Sequence, residues 1–351
     1  MKKIAIATTH FPFITTGGAE THAENLRKNL IKGGFEAYFI KIPFCFAPPS
    51  EIRNNMEIWE KLNIDKMYSG FNIEQVICLK FPSFYLNHPN KVVWLLHQHR
   101  SVYDLWNTEY GDSPNNTEQK LLKEHVIEQD NKHLKTCNKI FTNSKTVKRR
   151  LKKYNDIDST HLYHPPEGAD NFYTKKPESF IFCISNFIKT KRQKLLIEAM
   201  IFVKSPITAV FAGGFDFEYH ELCKNLSKEL NVSNKVKFLG NISQEDKLDY
   251  FSRCLGVFFG PYNEDYGYIT LEAMLASKPV ITCKDSGGPT EFIIDAQNGF
   301  VVDPDPKEIA RKIDWLYEHK NKSIEMGKNG LTSYSEKEIS WEKVLDNIIN
   351  V

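Results

Sequence analysis

Short runs rich in β-branched and aromatic residues alternate with segments of helical spacing from one end of the chain to the other. Apolar strands separated by amphipathic helices pack as parallel sheets with helices on their faces, so the expected class is α/β. In the first half, 3–8, 37–42, 75–80, 92–96 and 139–142 read as strands, with helices near 19–32 and 117–136. Gly33-Gly34 closes the first of these helices. A second set of strands is expected at 180–184, 208–212, 235–239, 256–259 and 279–283. Between the two sets stands Pro165-Pro166-Glu167-Gly168, the best linker candidate.

Two such sets imply two Rossmann-like domains facing each other across a cleft. A length of 351 residues agrees, because single domains typically run to about 100–200 residues. The expected division is 1–168 and 169–334. From Lys307 onward the pattern is mostly helical, and Trp341, Val344, Leu345 and Ile348 form an apolar stripe at helical spacing. That stripe packs either on its own domain or, in the arrangement we expect, back on the first domain, so that 335–351 completes it.

Charge excludes some partners. Lysine and arginine exceed aspartate and glutamate by two, too even a balance for binding a polynucleotide with the whole molecule. Any basic patch must be local, and the one strong run is 145–153, with Lys145, Lys148, Arg149, Arg150, Lys152 and Lys153. It reads as a solvated helix face or as a contact for an anionic membrane surface or lipid-linked acceptor. Met1-Lys2-Lys3 leads into a first strand rather than a signal-peptide core. No apolar run approaches the roughly 18 residues of a membrane span. Seven scattered cysteines without a Cys-x-x-Cys argue against a disulfide framework or zinc site. The expected location is the cytoplasm, with any membrane contact peripheral, on the inner face.

Two Rossmann-like halves raise the question of a dinucleotide. No two of the 18 glycines are separated by a single residue, so the Gly-x-Gly-x-x-Gly fingerprint is missing, as is the P-loop. Asp156-Ile157-Asp158 and Asp303-Pro304-Asp305 are the two Asp-x-Asp triplets. Both lie in turn-like sequence without further ligands nearby, and no metal or cofactor is expected.

The most informative stretch runs from Glu264 to Ala276 and follows the strand at 256–259. If a helix starts near Gly267, the amides of Tyr268, Ile269 and Thr270 are first-turn donors and the helix dipole adds positive charge. A diphosphate suits that end. Glu264 falls in the loop before it, after which come Asp265 and Tyr266, and Glu272 falls in the second turn, so two carboxylates could serve different parts of one ligand. The plainer reading is that Glu264 and Asp265 favour a helix N-terminus and Glu272 is solvated.

This placement, with Lys278-Pro279-Val280-Ile281, Gly287-Gly288-Pro289-Thr290-Glu291 and Asn298-Gly299-Phe300-Val301-Val302 following, resembles family 4 retaining glycosyltransferases of the GT-B fold. The resemblance implies a nucleoside diphosphate sugar as donor, bound by the second domain, and a saccharide or lipid-linked acceptor on the first. It implies that Glu264 sits at the donor sugar and Glu272 on the ribose hydroxyls. Thr15-Thr16-Gly17-Gly18 matches the family's glycine-rich donor loop, and His97 matches a histidine directed at the donor sugar. Family members usually carry an arginine where Asn186 stands and a lysine at Lys191, both on the diphosphate; here Lys191 remains with Arg192 beside it.

His97-Gln98-His99-Arg100 follows the strand at 92–96, at the sheet edge where α/β folds place ligands. His97 is read as turned to the ligand, and His99 as a satisfied structural residue that does not share its pocket. His99, Arg100, Tyr103, Asp104 and Trp106 offer charge, hydrogen bonds and a stacking face for an acceptor, or simply pack locally. The expected reaction is metal-independent glycosyl transfer with retention. The rivals are an epimerase or phosphorylase on the same fold and a catalytically silent sugar-nucleotide binder.

Overall fold

A computed structural model describes residues 1–11, 17–64, 72–111, 116–214 and 216–350. The chain divides into two compact units, one of Met1–His164 with Ser340–Val351 and one of Pro165–Ile339.

Unit 1 is built on a six-stranded parallel sheet: β1 (Lys3–His10), β2 (Glu36–Pro43), β3 (Gln75–Cys78), β4 (Lys91–Leu95), β5 (Lys139–Thr142) and β6 (Thr160–His161), in the order β2-β1-β3-β4-β5-β6. Its helices are α1 (Gly18–Lys32), α2 (Pro49–Lys61), α3 (Thr117–Leu134) and α4 (Lys145–Asn155). The two-residue strand β6 and helix α2 lie outside the sequence expectation. β3 and β4 are buried along their whole length, as a sheet covered on both faces requires.

Unit 2 repeats the plan with β7 (Phe180–Ile184), β8 (Thr208–Ala212), β9 (Val236–Phe238), β10 (Gly256–Phe258), β11 (Val280–Cys283) and β12 (Gly299–Val302). The order is β12-β11-β10-β7-β8-β9, again parallel. α5 (Gln193–Ala199), α6 (Phe217–Glu229), α7 (Gln244–Arg253), α8 (Tyr268–Leu275), α9 (Pro306–Glu318) and α10 (Lys320–Glu336) complete it.

The last helix, α11 (Trp341–Ile349), belongs to unit 1. Val344 and Ile348 are fully buried in the same cluster as Ile4, Ile6, Leu26 and Trp94. Burying each contributes about 1.5–3 kcal/mol, and the Gln75 amide donates to the Ile348 carbonyl at 2.9 Å. The stripe therefore covers one face of the first sheet.

Candidate active site

In unit 2, β10 runs into a loop that turns at Gly267 into α8. Gly267 has φ 89°, and a Cβ there would lie 2.8 Å from Pro289; only glycine holds this turn without strain. The loop is pinned at Glu264, whose N–H donates to the Ser286 carbonyl at 2.9 Å and whose carbonyl accepts from the Gly288 N–H at 2.8 Å. Between these bonds Gly287, φ 69°, passes so close that a Cβ would meet the Glu264 carbonyl oxygen at 2.5 Å. The Gly287-Gly288 turn is thus the seat of Glu264.

Lys191 ends a short turn (Lys189–Lys191) after β7, and its Nζ lies 2.6 Å from Glu264 Oε2. The two loops are stitched together by the Tyr262 N–H, which donates to the Thr190 carbonyl at 2.7 Å. Arg192 is placed differently from the expectation that it faces a diphosphate. Its guanidinium donates to both carboxylate oxygens of Asp285, at 2.6 and 2.8 Å, and to the carbonyls of Gly260 and Pro261. A fork so occupied braces the loop, which leaves Lys191 as the cation beside Glu264. Asn186 is exposed just past the end of β7, and its carbonyl accepts from the Gln193 amide at 2.9 Å.

Glu272 points inward, contrary to a solvated position, with a side chain only 6% exposed. Oε1 takes Lys247 Nζ of α7 at 2.5 Å, while Oε2 is buried with no hydrogen-bond partner. The hydroxyl of Thr270 is likewise buried and unpartnered. An unmatched buried acceptor costs about 1–3 kcal/mol, and a ligand hydroxyl would relieve it. Lys247 carried no signal in the sequence, since a lysine on a helix is usually solvated.

The first turn of α8 is less open than expected. The Thr270 amide donates to the Gly267 carbonyl at 3.0 Å, so it is not available to a diphosphate. Ile269 packs against the core, and Tyr266 is buried edge-on to Tyr268 and Phe292. Burial, and then the charge of Glu272, raise the Tyr268 phenol above its usual range.

In unit 1, Thr15 and Thr16 lie outside the described residues. Gly17 caps α1 and Gly18 is its first residue; the Gly17 N–H donates to Glu20 Oε2 at 3.2 Å, and Glu20 Oε1 pairs with Lys80 at 3.2 Å. An internal carboxylate thus already sits at this helix end.

His97 and His99 line one pocket of unit 1, contrary to the expectation that they part; a period of two puts residues i and i+2 on one side of an extended segment. Arg100 lines the pocket too. Tyr103 and Asp104 do not; they are buried behind it. The Tyr103 hydroxyl donates to Asp130 at 2.7 Å, and Asp104 accepts from Arg100 at 2.8 Å with Arg150 at 3.6 Å. Trp106 lies under the Lys123 ammonium, 4.5 Å from the ring centre. These three pack locally.

The basic run forms α4. Arg150 turns inward, Lys152 pairs with Asp156 and Asp158 at 2.9 and 3.1 Å, and Lys145, Lys148 and Arg149 share a surface depression with Lys152. Of the other triplet, Asp303 pairs with Lys284 at 2.8 Å and Asp305 caps α9. Among the described residues no helix is long and apolar enough to cross a membrane.

A glycosyl transferases group 1 domain is recognised over residues 169–332. The chain is 29% identical to the alpha-1,3/1,6-mannosyltransferase of Dictyostelium discoideum over 236 residues, 60% of this chain and 54% of that one. It spans about half the length of the curated relatives it matches. Among solved structures, a sucrose-phosphate synthase from Thermosynechococcus elongatus superposes with a TM-score of 0.80 at 16% identity, covering 100% of this chain and 98% of that one. Anabaena HepE, in complex with UDP and glucose, gives 0.73 at 16% identity, covering 100% and 99%. The fold is GT-B, and residues 169–332 match the glycosyl transferases group 1 domain.

Proposed function

We propose that the protein is a retaining, metal-independent glycosyltransferase that moves a sugar from a nucleoside diphosphate sugar to a hydroxyl of a saccharide or lipid-linked saccharide. The observation that carries this reading is the Glu272 carboxylate, buried with one oxygen ion-paired and the other unpartnered. It lies one helical turn beyond the loop that seats Glu264 against Lys191. Glu272 takes the ribose hydroxyls of the donor, and Oε2 gains the partner it lacks. Lys191 stabilises the departing diphosphate, while Glu264 orients the sugar as positive charge develops on its anomeric carbon. Asn186 and the start of α8 complete the donor side in unit 2. The acceptor occupies the pocket lined by His97, His99 and Arg100.

Retention follows from the resemblance of the Glu264–Glu272 stretch to a retaining family. Independence of metal is supported by the engagement of both Asp-x-Asp triplets with lysines or a helix end. Lys145, Lys148 and Arg149 give α4 the face that would meet anionic lipid headgroups, with the protein on the cytoplasmic side.

Thermal-shift screening against UDP, GDP and ADP and their sugars tests the donor site. Mannosyl donors come first, because relatives of the chain are named mannosyltransferases. The expected result is stabilisation by one nucleotide, followed by transfer that persists in excess EDTA and gives a retained anomer by proton NMR of the early product. No stabilisation by any of them, or transfer abolished by EDTA and restored by manganese, would overturn the corresponding part.

A further inference from the structure

The pocket of unit 1 has a volume of about 290 Å³, at the small end of ligand pockets and enough for part of an acceptor only. Its wall is aromatic. Phe46 stacks on Phe11 with ring centres 4.8 Å apart and planes 6° from parallel. Phe44 stands edge-on to Phe46 at 4.7 Å, and His99 lies against Phe81 at 4.9 Å. Phe46 is 54% exposed and Phe11 38%, an outlay of apolar surface that marks a contact site rather than a core.

Three features decide what the pocket accepts. Its cations are already neutralised, since Lys80 pairs with Glu20 and Arg100 chelates Asp104. Burial pushes His99 down to about 4, so at neutral pH it offers an uncharged flat ring. The polar side chains are largely turned to the protein: the Thr9 hydroxyl donates to the Phe81 carbonyl, Ser101 shares a hydrogen bond with His99, and the Gln98 amide donates to Asn155. Only His10 Nδ1 and Gln98 Oε1 are buried without a partner among the side chains lining the pocket, too few for the hydroxyls of a whole pyranose ring, and a phosphate would find no spare charge.

We infer that this aromatic pocket takes an uncharged hydrocarbon group of the acceptor, attached next to the hydroxyl that receives the sugar. The inference rests on the proposed glycosyl transfer for its biological role, but the pocket and its preference stand on unit 1 alone. The hydrocarbon can be an aliphatic chain, such as that of a lipid-linked acceptor, or a planar aromatic aglycone.

The test is calorimetry on the whole protein with methyl, hexyl and phenyl β-D-glucopyranosides, the last two added below any micelle-forming concentration. The hexyl or phenyl glycoside should bind at least about tenfold more tightly than the methyl one, the gain from moving apolar surface out of water. Phe46→Ala changes an exposed ring and should reduce that preference to less than about threefold, while Phe46→Leu keeps most of it. A stronger hexyl signal assigns a chain and a stronger phenyl signal an aromatic aglycone; both support the inference. Equal affinities, no binding by any glycoside, or a preference that survives Phe46→Ala would overturn it. Nucleotide stabilisation, measured in parallel, reports on the donor site, so failure of the transferase reading is distinguishable from failure of this one.

Discussion

Lys191 Nζ lies 2.6 Å from Glu264 Oε2, and both side chains are 18% exposed. Before a donor binds, each charge in the loop is balanced by the other. On the proposed reading, an arriving diphosphate competes for Lys191 and releases Glu264 toward the sugar, which would couple binding to activation of the site. With Arg192 committed to Asp285, no neighbouring arginine replaces Lys191. Lys191→Ala should therefore lower kcat/KM by about 2 kcal/mol, roughly 30-fold, the scale of a charge-assisted contact. Steady-state kinetics indistinguishable from wild type would show that the phosphate lies elsewhere.

Glu272 and Lys247 form the second pair, and their removal should act differently. Glu272→Ala should weaken nucleoside diphosphate binding by about 1.5–3 kcal/mol, because hydrogen bonds from ribose to a carboxylate are lost. Lys247→Met leaves the buried carboxylate without its cation and should lower stability by about 2–3 kcal/mol, less than a fully buried pair because Lys247 retains some solvent. Calorimetry and urea denaturation separate the two. A Glu272→Ala protein with unchanged nucleotide affinity would remove Glu272 from the ribose site.

The terminal helix is part of the core of unit 1. Ile348→Ala removes a fully buried side chain and should cost about 2–4 kcal/mol by transfer and cavity terms. A denaturation midpoint unchanged from wild type would mean that α11 detaches without loss.

Much of this plan was readable in advance, and what was not has a common physical origin. Alternating apolar runs announce a parallel sheet because burial on both faces leaves a local imprint, and the strand-loop-helix around Glu264 is contiguous. β12 and the seat of Glu264 were visible only as the motifs 298–302 and 287–291. The direction in which a charged side chain turns is decided by partners far along the chain: Glu272 by Lys247 and Arg192 by Asp285. Phe11, the pair Phe44 and Phe46, and Phe81 come from three loops far apart in sequence, so no local pattern could reveal their pocket. That His97 and His99 share it agrees with the period of two in an extended segment, which puts residues i and i+2 on one side.

His22 and His164 share a fully buried hydrogen bond of 2.9 Å beside Trp94 and Trp341. Burial pulls His22 down to about 3 and lowers His164 as well, the latter further disfavoured by His22. Unfolded histidine takes a proton near pH 6.5, whereas folded His22 stays neutral until about pH 3. Stability is therefore complete above pH 6.5 and falls as pH drops below it, by about 1.4 kcal/mol per pH unit from His22 alone. Asp130, raised to about 7 by burial, loses stability in the opposite direction, as pH rises from about 4 to 7. The diagnostic quantity is thus the difference between proteins. Between pH 6.5 and 5.5, His22→Leu should lose about 1 kcal/mol less than wild type in urea denaturation. Parallel losses would show that His22 titrates normally in the fold.

Glycosyl transfer itself is tested most directly by release of nucleoside diphosphate from a panel of nucleoside diphosphate sugars, measured for the wild type and for Glu264→Gln. Glu264 is held by backbone bonds on both sides, so the amide should keep its place and the fold should survive. The expected result is turnover by the wild type with at least one donor, a rate lower by about a hundredfold or more in Glu264→Gln, and nucleotide affinity nearly unchanged. No release from any donor by the wild type, or a Glu264→Gln protein that turns over at the wild-type rate, would contradict it.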